Sequence, residues 1–206
     1  HMTSLICGSM AFDTIMSFHG RFSEALLADQ LHKINVAFLV PGIRREFGGC
    51  AGNIAYNLKL LQGDPLIMAT IGKDGGSYLD RKIEDAGNVK LAIVAPDGRD
   101  GMIEHAKDCA RLGIPFIFDP GQGLPMFSGE ELTHFIELAT YVAVNDYEAE
   151  LLTERTGLSL EQVAERVSAL VVTRGEQGAE IYTSNGRFDI PVVRVDQVVD
   201  PTGCGD

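Results

Sequence analysis

Residues 91–118 read LAIVAPDGRDGMIEHAKDCARLGIPFIF and contain the pattern that decides the fold class. Two short apolar runs, Leu91–Val94 and Pro115–Phe118, predict strands that are buried on both faces. The segment between them, Gly98–Leu112, is predicted to be helical because its apolar residues recur at helical spacing. Gly113 follows where a helix commonly ends in a glycine. The stretch therefore predicts a strand–helix–strand unit.

The same alternation continues on both sides of this unit. Gly52–Leu61 predicts a further helix with one apolar face. Further strands are predicted at Ser4–Met10, Leu66–Ile71, Tyr141–Val144 and Ala169–Thr173. Short apolar strands separated by amphipathic segments indicate an α/β fold around a mostly parallel sheet.

Residues 14–47 interrupt this rhythm. Strand-like runs at Asp13–Phe18, Val36–Val40 and Arg44–Phe47 flank a polar stretch in place of a crossover helix. We interpret residues 14–47 as a small β-flap inserted into a core of residues 1–13 and 48–206. A surface meander without a role is the alternative.

Composition bounds the class of protein. The 206 residues suit one domain with a small appendage, and 45% hydrophobic residues are enough for a core. A net charge of −12 disfavours nucleic-acid partners, although backbone N–H groups can still bind phosphate in an acidic protein. The four cysteines form no CxxC pair, which disfavours zinc and suits a reduced, cytoplasmic setting. No apolar run is long enough to span a membrane, and His1-Met2 is typical of a cleaved tag.

Asp200-Pro201-Thr202-Gly203-Cys204-Gly205-Asp206 is the most informative motif. Glycines let consecutive N–H groups point at one spot, and such a nest binds anions. A carboxylate beside the nest can accept a hydroxyl proton during phosphoryl transfer. An ordinary tight turn is the alternative at this point.

A second glycine-rich element, Gly48-Gly49-Cys50-Ala51-Gly52-Asn53, opens the helix predicted at residues 52–61. Its small residues let a ligand approach the backbone, and the Asn53 amide can both donate and accept hydrogen bonds. A closely packed helix start is the alternative interpretation.

Together with three further motifs, these elements resemble the PfkB family of ribokinase-like carbohydrate kinases. Gly72, Asp74 and Gly75 or Gly76 resemble part of its N-terminal signature, and residues 200–206 resemble its C-terminal signature. Asn145-Asp146-Tyr147-Glu148 matches its Asn-x-x-Glu motif, and Thr173–Ala179 is similar to its strand-turn-strand. The resemblance implies a ribokinase-like three-layer sandwich, with a central mostly parallel sheet and a small β-flap lid.

The resemblance also implies roles for individual residues. Asp206 becomes the catalytic base, and the backbone of Gly203, Cys204 and Gly205 forms an anion hole. Contacts to the substrate fall on Asp13, Gly49 and Asn53. If the substrate is a nucleoside, its base needs an aromatic or apolar platform, which Phe12 or Phe38 can provide. For Asp13 a turn residue, and for the two phenylalanines plain packing, stay open as alternatives.

The nucleotide side of the predicted site follows from the same resemblance. Asn145, Thr173, Gly175 and Thr202 are expected to contact ATP or its phosphates. Glu148 is expected to bind Mg²⁺ through water, unless it is simply an exposed residue of the helix after Asn145. ATP is the implied co-substrate, Mg²⁺ the implied metal, and K⁺ an additional ion.

Other kinase classes lack support. The chain has no GxxxxGK[ST] element, no HRD or DFG set, and no GxSxG elbow. Residues 35–40, 44–55 and 118–125 are similar to the bacterial adenosine kinase-like branch. We therefore expect phosphorylation of a nucleoside, adenosine first, at the ribose 5′-hydroxyl. Ribokinase or another sugar kinase is the runner-up, and a catalytically silent binding homologue is the alternative of another class.

Two expectations concern missing chain and assembly. Compared with the family, a helix and the adenine pocket should follow Asp206, and the connection between Gly87 and Asn88 is too short. A gap at residues 87 and 88 is therefore predicted. Exposed flap strands also predict a homodimer through the lid.

Overall fold

The computed structural model describes residues 3–17, 42–69 and 89–194. Its strands in these ranges are β1 Thr3–Cys7, β2 Ala11–Ser17, β3 Gly42–Gly48, β4 Asp64–Met68, β5 Val89–Val94, β6 Phe116–Phe118, β7 Tyr141–Asn145, β8 Ala169–Thr173, β9 Ala179–Thr183 and β10 Gly186–Ile190. Its α-helices there are α1 Cys50–Leu60, α2 Arg99–Arg111, α3 Gly129–Leu138, α4 Asp146–Thr156 and α5 Leu160–Ala164. Two 3₁₀ segments span Gly121–Met126 and Gly175–Gln177.

Eight of these strands form one sheet in the order β10-β9-β8-β7-β6-β5-β1-β4. Neighbours from β4 through β8 pair in parallel, whereas β9 and β10 pair antiparallel. The prediction of an α/β fold with a mostly parallel central sheet is confirmed. Val36–Val40 and the proposed gap at residues 87 and 88 lie outside the described residues.

The chain divides into two compact units, residues 1–10 with 49–206, and residues 11–48. The larger unit contains the eight-stranded sheet. In the smaller unit, β2 and β3 form an antiparallel ribbon with Ala11 opposite Gly48 and Ser17 opposite Gly42.

Apolar side chains of the larger unit pack on both faces of its sheet. On β1, Leu5 and Cys7 join the main core with α2 to α5, while Ile6 packs with Ala51 and Ala55 of α1. Alternation along one strand thus explains why both faces are covered by helices.

Three phenylalanines pack together in the main core, on the side of the sheet covered by α2 to α5. Phe118 and Phe135 stack with ring centroids 4.3 Å apart, and Phe127 meets Phe135 edge-on at 5.0 Å. Burial of each ring contributes about 2 kcal/mol to folding. This cluster fixes α3 against the end of β6, next to the 3₁₀ segment Gly121–Met126.

Capping side chains determine where three helices begin. Ser128, Asn145 and Ser159 accept hydrogen bonds from the third helical residue of α3, α4 and α5. That third residue, Glu131, Glu148 or Gln162, in turn accepts the N–H of the cap. Each reciprocal pair satisfies two backbone donors that a helix start otherwise leaves unpaired.

Candidate active site

The carboxyl ends of the parallel strands meet at one edge of the sheet. Parallel pairing sets Val94 beside Phe118, and Asn145 beside Thr173. The residues that follow these strand ends therefore gather at the same edge, where ligands of open α/β sheets bind.

A cavity of about 250 Å³ lies at this edge. It is lined by Cys50, Pro96, Asp119, Gly121, Gln122, Ala143, Val144, Asn145, Glu148 and Thr173. The structure thus brings together residues of two separate sequence motifs, namely Asn145 and Glu148 of one and Thr173 of the other. Two carboxylates, two amides and a hydroxyl face a space large enough for several waters or a phosphate group.

Glu148 is held at this edge by Asn145, the last residue of β7 and the N-cap of α4. Its Oε2 accepts the Asn145 backbone N–H at 2.9 Å, and its Oε1 accepts Asn145 Nδ2 at 2.9 Å. Asn145 Oδ1 accepts the Glu148 N–H at 2.8 Å in return. Both carboxylate oxygens keep further lone pairs. A half-buried, oriented carboxylate of this kind can order water around a cation.

The turn after Thr173 is fixed by a network of charged side chains. Arg174 Nη2 lies 2.6 Å from Glu180 Oε2, which also accepts the Tyr182 hydroxyl at 2.8 Å. Arg174 holds the pKa of the nearly buried Glu180 below its ordinary value. Gly175 begins the 3₁₀ turn just beyond and is not among the described residues that line the cavity.

The N-terminus of α1 contributes Cys50 to the cavity. Gly49 is the N-cap, with φ of 90°, a conformation that favours glycine. Its carbonyl accepts the Asn53 N–H at 3.1 Å, so Gly49 and Asn53 are joined in the first turn. The predicted substrate contacts at these two residues therefore lie on a helix that reaches the cavity.

In the smaller unit, Asp13 lies on β2 opposite Glu46, and the would-be Cβ of Gly48 overlaps the Asp13 carboxylate. Phe12 is exposed, and its ring centroid is 4.7 Å from that of Phe47. The guanidinium carbon of Arg45 lies over the Phe12 ring, 4.9 Å from the ring centroid. An exposed aromatic with a cation on one face is compatible with packing as well as with stacking on a base.

The described cysteines are free and buried, at Cys7, Cys50 and Cys109. Burial raises the pKa of the Cys109 thiol to about 12, and raises that of Cys7 as well. These two thiols therefore stay protonated at neutral pH, and both pack in the main core.

Residues 83–206 match the family model described as pfkB family carbohydrate kinase. The chain belongs to this family. It is therefore a small-molecule kinase, and the predicted ribokinase-like resemblance is confirmed. No helix within the described residues is both long and apolar enough to cross a membrane.

Several relatives of this pfkB protein are described more specifically, as nucleoside kinases. A nucleoside kinase from Methanocaldococcus jannaschii is 40% identical, over 84% of this chain and 72% of that protein. One from Thermoplasma acidophilum is 33% identical, over 81% of this chain and 69% of that protein. The solved structure of the Burkholderia thailandensis nucleoside kinase in complex with inosine is 46% identical, with a TM-score of 0.78. That match covers 98% of this chain and 80% of the other.

Several predicted site residues of this pfkB kinase lie outside the described ranges. They are Asp206, Gly203, Cys204, Gly205, Thr202 and Phe38. Their assignments stay predictions.

Sequence reasoning gave no role to Asp119 or Gln122, although both line the cavity of this pfkB kinase. Both closely follow the end of β6, and polar residues after a buried parallel strand are a usable signal for a site. The sequence could not show that Asp119 and Gln122 share a cavity with Glu148, because their proximity depends on the order of the strands in the sheet.

Proposed function

We propose that this protein is an ATP-dependent nucleoside kinase that phosphorylates the ribose 5′-hydroxyl of a purine nucleoside, with adenosine as first candidate. The observation that carries the proposal is 46% identity, over 98% of this chain, to a nucleoside kinase solved with inosine. A further structure of that kinase is described as a complex with ADP-inosine. The polar cavity at the carboxyl edge of the sheet supports the same chemistry.

In the proposed reaction the nucleoside 5′-oxygen forms a bond to the γ-phosphorus of ATP. The bond between that phosphorus and the β,γ-bridging oxygen breaks, and ADP leaves with the electron pair. The hydroxyl proton goes to the Asp206 carboxylate. The N–H groups of Gly203, Cys204 and Gly205 stabilise the negative charge on the phosphoryl oxygens.

The residues that line the cavity fit a divalent cation bound through water. In the described residues no group of three or more His, Cys, Asp or Glu is arranged to hold a metal directly. Mg²⁺ prefers a few carboxylates and several waters, and Glu148 offers an oriented carboxylate beside Asp119. When bound there, Mg²⁺ would neutralise charge on the ATP phosphates. Asn145 would keep Glu148 aimed at that water shell.

Two predictions accompany the proposal. The first is that K⁺ takes part as an additional ion, which a comparison of turnover in K⁺ and Na⁺ buffers tests.

The second is a homodimer formed through the flap. The ribbon offers an apolar surface for this contact, made of exposed Phe12, Met16, Ile43 and Phe47. Light scattering at several protein concentrations checks the dimer.

The test is an ATP-consumption assay of the full-length protein with adenosine, inosine, ribose and fructose side by side, with mass spectrometry of the products. We expect nucleoside 5′-monophosphates. Turnover of ribose without turnover of nucleosides would refute the nucleoside assignment. Nucleoside binding without any turnover would favour the silent homologue instead.

Asp206→Asn separates chemistry from binding. We expect turnover to fall by roughly 10²- to 10⁴-fold, while calorimetry shows unchanged nucleoside affinity. Asp189→Asn is the matched control, because Asp189 is an exposed carboxylate on β10 that pairs with Arg187. Equal activity of both variants would mean that Asp206 is not the base.

A further inference from the structure

Ser9, after β1, ties the N-terminus of α1 to the loop after β5. Its N–H donates to the Pro96 carbonyl at 2.9 Å, and its own carbonyl accepts the Ala51 N–H at 3.0 Å. Its Oγ accepts the Cys50 N–H at 3.3 Å. Two orphan donors of α1 are thus satisfied by one residue that is itself anchored on Pro96.

The Pro96 ring in turn packs against the turn after β6. Gly121 there has φ of +46°, and a Cβ at this position would lie 2.5 Å from Pro96 Cγ. Real Cβ atoms do not approach this closely, and the proline ring is rigid. The turn backbone can rest on the ring only because residue 121 has no side chain.

The same turn faces the candidate site. Asp119, whose N–H donates to the Val94 carbonyl at 3.0 Å, lines the cavity together with Gln122 and Glu148. A side chain at residue 121 would push the turn and Pro96 apart. Movement of the turn displaces Asp119 and Gln122 relative to Glu148, and movement of Pro96 strains the hydrogen bond from the Ser9 N–H and, through Ser9, the start of α1.

We propose that Pro96 and Gly121 are positioning residues for phosphoryl transfer. Through Ser9 they form a bracket that sets the 119–122 turn and the start of α1 at a fixed separation across the cavity. The bracket consists of Ser9, Pro96 and Gly121; Pro96 and Gly121 line the cavity wall but carry no side chain that could donate or accept a proton. The expected effect of these residues on kcat rests on the proposed function. The coupling of the 119–122 turn to the start of α1 through Pro96 and Ser9 does not depend on it.

The test compares Gly121→Ala, the double variant Pro96→Ala/Gly121→Ala, and Gly113→Ala. Gly113 is the matched control, because its φ is +68° and a Cβ there meets nothing within 4 Å. Both single variants therefore carry the backbone strain of a left-handed alanine, and only Gly121→Ala adds the overlap with Pro96.

We expect Gly121→Ala to lower kcat by roughly ten- to hundredfold, with a much smaller change in nucleoside KM, because misplaced groups slow the chemical step. The double variant should regain most of that loss, since the ring is gone. Gly113→Ala should keep normal kcat. A Gly121→Ala enzyme as active as Gly113→Ala, or a double variant no faster than Gly121→Ala, overturns the proposal.

Amide chemical shifts give a readout that needs no turnover. The Ser9 and Ala51 N–H peaks should move in Gly121→Ala, return toward wild type in the double variant, and stay in place in Gly113→Ala. If the wild type phosphorylates nothing in the substrate panel, the proposed function fails while these shifts still decide the bracket. Unmoved Ser9 and Ala51 peaks overturn it.

Discussion

Replacing Glu148 by glutamine separates a capping role from a role in phosphoryl transfer. The carboxylate accepts two hydrogen bonds from Asn145, at 2.9 Å each. An amide keeps one oxygen acceptor and turns an NH₂ group toward the other donor. The negative charge near the start of α4 is also lost. Together these changes should lower the free energy of unfolding by about 1 kcal/mol.

The effect on activity should be larger than this stability loss explains. If Glu148 orders Mg²⁺-bound water, its neutral analogue should reduce kcat by roughly 10- to 100-fold and raise the Mg²⁺ concentration needed for half-maximal rate. Steady-state kinetics across a Mg²⁺ series, with urea denaturation of the same samples, measures both quantities. At the assay temperature a protein destabilised by about 1 kcal/mol should still be folded.

Glu131→Gln is the matched control. Glu131 occupies the same third position in α3, accepts the Ser128 N–H at 2.9 Å, and pairs with Arg99. In α5 the native residue at this position is Gln162, so glutamine itself supports such a cap. Glu131→Gln should lose stability without losing activity. If Glu148→Gln kept wild-type kcat and Mg²⁺ dependence, Glu148 would be a capping residue only.

Two further predictions concern the flap and the core. Gly48→Ala should push the Asp13 carboxylate aside. If Asp13 contacts the substrate as predicted, nucleoside KM should then rise by roughly ten- to hundredfold. Gly42→Ala on the same strand, where a Cβ meets nothing within 4 Å, should leave KM unchanged; equal KM values would contradict the predicted contact. Burial lowers the pKa of His105 from the ordinary 6.5 of histidine, so the unfolded chain binds more protons than the native one as pH falls below 6.5. Wild-type unfolding free energy should therefore fall as the pH is lowered through 6.5, and urea titrations of His105→Leu should show a shallower slope against pH; identical slopes would contradict this account.

Local periodicity was sufficient to locate much of the larger unit. The helix predicted at Gly98–Leu112 is observed at Arg99–Arg111, and the strand predicted at Leu91–Val94 at Val89–Val94. These elements are predictable because burial on a helix or strand imposes its own spacing on apolar residues.

The sequence predictions missed helices α3 and α5, although a local signal for both exists. Ser128-x-x-Glu131 and Ser159-x-x-Gln162 are capping boxes, and the spacing of their polar residues is visible in the sequence itself. The cavity is a different case. Pro96, Asp119 and Glu148 lie far apart in sequence, and their proximity follows from the order of β5, β6 and β7 in the sheet. No local pattern contains that order.

Three helices begin with a capping box, and the box of α4 differs from the other two in its position in the fold. All three have a polar N-cap and a Glu or Gln at the third helical position. They differ in what precedes them: α4 starts directly after β7, with Asn145 belonging to the strand and Asp146 to the helix. A helix start placed at the carboxyl end of a parallel strand adds its N–H groups and its dipole to the sheet edge where ligands bind. A polar N-cap with Glu or Gln three residues later thus serves folding in all three helices, and its place at the sheet edge is what makes the Asn145-x-x-Glu148 box a candidate for a chemical role.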